Sequence, residues 1–569
     1  MKTARASSKG GWAVYAFTAA FFGCFLLWPI WQTVQGAFVD AGGGFTADYF
    51  VEVFRNRFYL EGLSNAFLLA AASCALCLLI ALPLAFIADR FDFPCKRLFS
   101  VLILAPMILP PFVGAIGMKQ ILGQMGTLNS TLAALRILPL RDGIDWLGHG
   151  RFWGCALMNA LHLYPILYLN VVSALANIDP AMEEAAENLG CTGLRKFLKI
   201  TLPLMMPGLF AGGTIVFIWA FTELGVPLMF DYNRVTPVQI FYGVKEIAGN
   251  PFPYALVVVT LAGTALLYLA SKLSLGRDNL SMMPKAAVFA GTRRPGFLTG
   301  ILCTACFTAV TLVALLPHLG VVLISFSRDW YGTILPEGWT LSHYKAALGH
   351  NLTVPSIINS LKYASLSTVV DLILGVAIAY VVVRTDLPGR HLLDSVAMLP
   401  LAVPGLVLAF GYISMSQEGR FFSFLNPTRN PAFLLIIAYS VRRLPYVVRA
   451  AAAGLAQTSV TLEEAAQNLG ASPWRAVRKI TLPLISANIL AGGLLAFSFA
   501  MLEVSDSLIL AQKQQDFPIT KAIYELFNLL GEGRAVASAL GVWAMLFLGL
   551  TLLAATRLLG KKMGTLFRV

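Results

Sequence analysis

Charge is scarce in this chain. Asp, Glu, Lys and Arg make up only 12% of its 569 residues, against 57% hydrophobic. That excludes a water-soluble fold, which would have nowhere to put so much apolar surface except against lipid. Histidine is scarcer still. Its six copies are scattered and form no grouping of ligands or nucleophiles of the kind a membrane enzyme needs. No Gly-x4-Gly-Lys-Ser/Thr loop occurs anywhere, so the chain lacks the usual backbone cradle for the phosphates of ATP. Cysteine is present eight times, at Cys24, Cys74, Cys77, Cys95, Cys155, Cys191, Cys303 and Cys306, mostly inside apolar stretches where the thiol acts as a small hydrophobe. The Cys74/Cys77 and Cys303/Cys306 pairs have metal-like spacing, but no His accompanies either, and a structural zinc takes four ligands. No cofactor or metal is expected on this chain.

What is present is a series of apolar runs of about 20 residues, the length that crosses a hydrocarbon core of about 30 Å. About twelve can be counted, at 12–35, 64–88, 98–121, 152–175, 204–230, 253–274, 298–325, 358–383, 392–414, 432–455, 484–510 and 536–558. The formal charge of +13 is topological and calls for no nucleic-acid partner. Basic residues gather in alternate loops, among them Lys2, Arg5 and Lys9; Arg90, Lys96 and Arg97; Arg195, Lys196 and Lys199; Arg277, Lys285, Arg293 and Arg294; Arg384 and Arg390; Arg475, Arg478 and Lys479; and Lys561, Lys562 and Arg568. The positive-inside rule then puts both termini in the cytoplasm. The first apolar run continues through Trp28, Ile30 and Trp31 without a small-x-small cleavage site, which makes it an uncleaved helix.

The chain repeats itself. Asn65, Arg90, Pro94, Pro106 and Pro110 recur as Asn359, Arg384, Pro388, Pro400 and Pro404, an offset of 294; later Glu184, Gly190, Ile200 and Pro203 recur as Glu464, Gly470, Ile480 and Pro483, an offset of 280. The second copy is therefore 14 residues shorter, in an outer loop near 123–150. Six spans per copy would enter the membrane in the same sense, as parallel repeats around a central pathway. The division reads as a first permease half over 1–275, a polar, basic, Pro/Gly-punctuated cytoplasmic linker over 276–297, and a second half over 298–569.

Between the fourth and fifth spans of each half lie DPAMEEAAENLGCTGLRKFLKITLP at 179–203 and SVTLEEAAQNLGASPWRAVRKITLP at 459–483. Both read as helix, turn, helix: Asp179 and Ser459 suit N-caps, Pro180 a first helical position, Gly190 and Gly470 a left-handed C′ position, and Ser472 with Pro473 a restart. Leu189, Leu194, Phe197 and Ile200 are expected against protein or membrane, and Glu183, Glu184 and Glu187 facing water or a partner.

The pattern Glu-Ala-Ala-x3-Gly-x9-Ile-x-Leu-Pro, present twice without a mismatch at 184–203 and 464–483, resembles the cytoplasmic loop of type I ABC importer permeases. The resemblance covers nearly the whole chain. It implies an all-α polytopic membrane protein of the MetI-like kind, with about twelve helices in two parallel six-helix repeats, resident in the bacterial inner membrane. It also implies a loop that docks on a separate ATPase through Glu184, Ala185, Ala186 and Gly190, and through Glu464, Ala465, Ala466 and Gly470. Two copies of that cytoplasmic ATPase, holding ATP and Mg, would act as partners, together with an external substrate-binding protein. The fused arrangement is most similar to ferric-iron permeases, with thiamine and aminoethylphosphonate permeases close; ferric iron is the expected cargo, with an organophosphonate, thiamine or a polyamine as alternatives. An ion-coupled secondary transporter is the rival class, since it too uses twelve spans in two parallel halves; the duplicated loop argues against it.

Ionisable groups at membrane depth mark a pathway or a buried pair. Glu223 and Glu503 hold matching positions, with Asp506 beyond, and Arg442 and Arg443 lie inside the tenth span. These five either line the translocation pathway or gate, or pair structurally: Arg442 and Arg443 with Glu503 or Asp506, and His162 with Glu223. Asp371 reads as structural. Pro165 and Pro445 match across the repeat and are expected to kink the fourth spans, as hinges or as plain local bends.

Overall fold

The structure is a computed structural model that describes residues 8–40, 43–107, 110–148, 151–247, 250–276 and 294–559. Most of the 276–297 linker lies outside the described residues, as do the basic positions Lys2, Arg5, Arg277, Lys285, Arg293, Lys561, Lys562 and Arg568. Helix accounts for the regular structure among the described residues, apart from two isolated antiparallel bridges, Val39 with Phe45 and Ser327 with Trp339. This is what a chain needs when lipid cannot satisfy backbone amides.

Eight helices are long and apolar enough to cross a membrane, and eleven if three sharply bent pairs each count as one span. Twelve runs are legible in the sequence, and Ala432–Gln457 accounts for one difference. At 26 residues it is about 39 Å long, but it carries Arg442, Arg443 and Arg449. The bend between Arg390–Leu401 and Gly405–Met415 measures 96° and centres on Pro404, whose ψ of 139° and missing N–H end one helix and start the next.

The chain packs as two compact units that are not contiguous in sequence. One takes the described residues of Met1–Leu60, Gln239–Ala262 and Tyr344–Leu566. In it, Trp28–Ala37 lies along Gly405–Met415: a Cβ on Gly411 would stand 2.9 Å from Pro29, the Tyr412 hydroxyl donates to the Phe25 carbonyl at 2.7 Å, and Arg420 donates to Gln32 at 2.6 Å. The other takes Glu61–Val238 and Gly263–His343. There Phe297–Phe326 lies along Pro111–Leu122 so closely that a Cβ on Gly117 would meet the Pro317 carbonyl at 2.3 Å and one on Gly320 the Gly117 backbone at 2.7 Å. Small residues permit such approach where hydrophobicity cannot drive helix association. Four of the largest fully buried side chains are tyrosines, Tyr164, Tyr363, Tyr412 and Tyr439, and each hydroxyl finds an oxygen partner, as burial of a phenol requires.

Candidate functional site

The repeated segment folds as its capping residues dictate. Pro180 opens the Pro180–Asn188 helix, and the Asp179 carboxylate accepts the Ala181 amide at 2.9 Å. In the second copy the helix is Thr461–Asn468, with Val460 in the cap position; the Ser459 hydroxyl still accepts the Thr461 amide at 3.3 Å. Both helices end in the same Schellman turn: Gly190 donates to Glu187 and Cys191 to Ala186, while Gly470 donates to Gln467 and Ala471 to Ala466, all at 2.9–3.0 Å. That turn needs a left-handed residue, and Gly190 and Gly470 have φ of +80° and +88°. Ser472 caps the restart over Pro473. A widened turn of π type follows at Phe197–Thr201 and again at Val477–Thr481, an irregularity often found at functional positions.

The side chains sort differently from expectation. Glu183 and Glu463 are buried, each tied to the end of a long helix: Arg90, last residue of Arg57–Arg90, bonds Glu183, and Arg384, last residue of Thr353–Arg384, bonds Glu463 at 3.1 Å. Glu183 therefore does not face water, because a guanidinium and the Thr201 hydroxyl, at 2.6 Å, satisfy it inside. Burial alone would raise its pKa, but the hydrogen bonds from Arg90 and Thr201 outweigh that and hold it below the ordinary Glu value. Tyr380 adds a hydroxyl to Glu463 at 3.3 Å; its counterpart Phe86 instead lies under the Arg90 guanidinium. Glu184 is exposed and Glu464 half-buried, and Glu187 takes Lys196 at 2.6 Å. Ala185 and Ala465 are exposed, Ala186 buried, Ala466 half-buried. Leu189 and Leu194, expected against protein or membrane, stand 87% and 73% exposed, and Leu469 90%, while Phe197 packs edge-on against Phe86. Each copy thus presents an exposed leucine at the end of a helix that carries a carboxylate at least partly open to solvent.

In the sequence Arg90 and Arg384 read as topology and repeat markers, and their pairing with the buried glutamates is not apparent there. A signal for it is that both arginines and both buried glutamates sit at matching positions of the repeat.

The second copy gathers a cluster of buried charges. Arg442 Nη1 lies 2.5 Å from Glu503 Oε1 and 3.3 Å from Asp506 Oδ2, and Arg443 bonds the other Glu503 oxygen. Asp371 accepts the Ser440 hydroxyl at 2.6 Å. The charges come together: where the second copy has Arg443, Asp506 and Asp371, the first has Leu163, Val226 and Cys77. His162 directs Nδ1 to the Pro106 carbonyl at 3.1 Å, and Glu223 accepts the Gly225 and Val226 amides at 3.0 and 3.3 Å, capping the short Gly225–Met229 helix. Pro165 and Pro445 lie inside the continuous helices Phe152–Leu175 and Ala432–Gln457. No group of three His, Cys, Asp or Glu side chains placed to hold a metal occurs among the described residues.

The model of the family described as binding-protein-dependent transport system inner membrane component matches residues 79–276 and again 371–565. A protein of Haemophilus influenzae provisionally named a ferric transport system permease is 30% identical over 475 residues, covering 82% of this chain and 71% of the relative. The ferric transport system permease protein of Actinobacillus pleuropneumoniae is 28% identical over 499 residues, covering 84% and 69%. The molybdenum transport system permease protein of Escherichia coli K12 is 32% identical over 194 residues, covering 32% of this chain and 77% of its own length.

Proposed function

The chain belongs to the family of binding-protein-dependent transport system inner membrane components, and from that membership we propose that its twice-occurring loop is the dock for a separate ATPase. The protein is the membrane permease of an ABC importer: it translocates a substrate, is coupled to an ATPase, and leaves ATP hydrolysis to that partner. The finer reading has twelve spans in two parallel repeats, 1–275 and 298–569, joined by a cytoplasmic linker at 276–297, with both termini cytoplasmic. Two ATPase copies dock, one per loop, and an external binding protein delivers the cargo.

The observation that carries the docking reading is the double occurrence of one small structure. In each copy a short helix ends in a left-handed glycine, with Leu189 or Leu469 held out to solvent just before it and Glu184 or Glu464 five residues earlier, exposed in the first copy and half-buried in the second. An apolar tip on a helix that carries a carboxylate suits a groove with an apolar floor and a basic rim. Ala185 and Ala465 keep the approach close, and Gly190 and Gly470 make the turn.

Ferric iron is the proposed cargo, supported by the two ferric-named relatives that span most of the chain. An organophosphonate, thiamine or a polyamine is the alternative cargo, and the molybdenum-named relative puts a molybdenum species beside them. Glu223 in one unit, and Glu503, Asp506, Arg442 and Arg443 in the other, are each proposed to line the pathway or its gate, with the ion pairs keeping the second copy's acids in place. An ion-coupled secondary mechanism has the family membership against it.

Reconstitution with the ATPase and binding protein encoded beside it tests the assignment. ATPase activity stimulated by the loaded binding protein, and lost in the Glu184→Lys/Glu464→Lys double variant while the permease stays folded, is the expected result; the stimulating ligand names the cargo. Transport driven by an ion gradient with no ATPase bound would overturn it.

A further inference from the structure

The second span of each half is fastened at both ends, by side chains at matching positions. At the loop end, Arg90 holds Glu183 and Arg384 holds Glu463, with Arg384 also donating to the Thr458 carbonyl at 2.7 Å. At the far end, Asn65 donates to the Arg234 carbonyl at 2.8 Å, and Glu61 pairs with the Arg234 guanidinium at 3.0 Å. Asn359 donates to the carbonyls of Gln515 and Phe517 at 2.8 and 3.3 Å. Asparagine and arginine are 25 residues apart in both copies, about 37 Å of helix. The far-end partners lie in the segments that follow Glu223 in one copy and Glu503 and Asp506 in the other.

This repetition is difficult to attribute to packing alone. The contacts that accompany the ion pair differ between copies, with Thr201 and Phe86 in one and Tyr380 in the other, whereas the arginine, the glutamate and the asparagine are the same. A guanidinium–carboxylate bond is directional and stiff, and it anchors the loop end of each span; the far end is held by amide-to-carbonyl hydrogen bonds at the surface, and the single helix between carries displacement from one to the other.

Resting on the docking reading above, we propose that the second spans are tie rods: Arg90 and Arg384 are positioning residues that clamp the docking helices to them, and Asn65 and Asn359 pass the displacement to the loops beside the pathway acids. Movement of Glu183 or Glu463, imposed when the ATPases close, then reaches the opposite membrane face without passing through the fifth spans.

The experiment uses the full complex in nanodiscs, with wild type, Arg384→Gln, the reciprocal Arg384→Glu/Glu463→Arg, and Asn359→Leu. It measures ATPase copurification, basal hydrolysis, stimulation by loaded binding protein, and melting temperature. ATPase binding and basal hydrolysis should persist in all, while stimulation falls about two- to thirty-fold in Arg384→Gln and in Asn359→Leu and recovers in the reciprocal variant. Unchanged stimulation in Asn359→Leu overturns the tie rod. So does a loss in Arg384→Gln that tracks a fall in melting temperature and is not recovered by the exchange. Failure of the wild type to bind any ATPase is a separate result, which overturns the docking reading itself.

Discussion

Replacing Glu503 by Gln should cost far more than the same change at its counterpart, Glu223. Glu503 is 5% exposed, and its two oxygens are divided between Arg442 and Arg443. Without its charge, Arg443 loses its ion pair and Arg442 keeps only the longer contact to Asp506, at 3.3 Å. Breaking a buried pair from one side costs about 3–5 kcal/mol, because the charge left behind stays desolvated. Glu223 accepts two backbone amides at a helix start, bonds that the Gln amide oxygen can still accept, so this cap contributes no more than about 0.5–2 kcal/mol to the change. At about 2 °C per kcal/mol for a chain of this size, Glu503→Gln should lower the melting temperature by about 6–10 °C and Glu223→Gln by no more than about 1–4 °C. Intrinsic fluorescence of the ten tryptophans during heating of the purified protein reads this directly. Glu503→Leu combined with Arg443→Leu should recover part of the loss, since it leaves fewer charges unpaired. If Glu503→Gln melts with the wild type yet abolishes transport, the carboxylate serves the cargo and not the arginines, and the reasoning fails.

Gly470→Val should weaken ATPase binding while Gly470→Asn is tolerated. The space around a Cβ there is empty, so only the left-handed backbone, at about 1–2 kcal/mol for an ordinary residue, opposes the change. Pro445→Ala restores an amide inside Ala432–Gln457; if the proline is a hinge, transport slows with melting unchanged or raised, and unaltered transport removes the hinge. The Glu183 carboxyl is held below its ordinary value of 4.5, so the stability it adds is complete above that pH and is lost as the pH falls through the lower folded-state value. Amide exchange across 179–203 should stay slow from pH 7 to 5 and quicken only below about 4.5, after correction for the intrinsic rate; quickening near pH 6 would contradict the pairing with Arg90.

The features legible in the sequence are those set within a few residues. Asp179, Pro180, Gly190, Gly470 and Ser472 act through bonds spanning two to five positions, so their residue types are enough to place the docking helices and turns. Apolar runs of spanning length identify membrane helices for the same reason; in Ala432–Gln457, the run that carries three arginines, Arg442 and Arg443 are answered by acids 60 to 64 residues away. Only the tertiary structure decided such answers. It directed His162 to a proline carbonyl and Glu223 to backbone amides, buried Glu183 where amphipathic reading left it in water, and grouped Trp28–Ala37 with Gly405–Met415. Glu223 aside, whose amides lie two and three residues on, the partners lie dozens to hundreds of residues apart, as Pro106 does from His162, Arg90 from Glu183 and Phe25 from Tyr412. Which of several chemically suitable partners a buried charge meets depends on where the connecting chain delivers it, and no local preference encodes that.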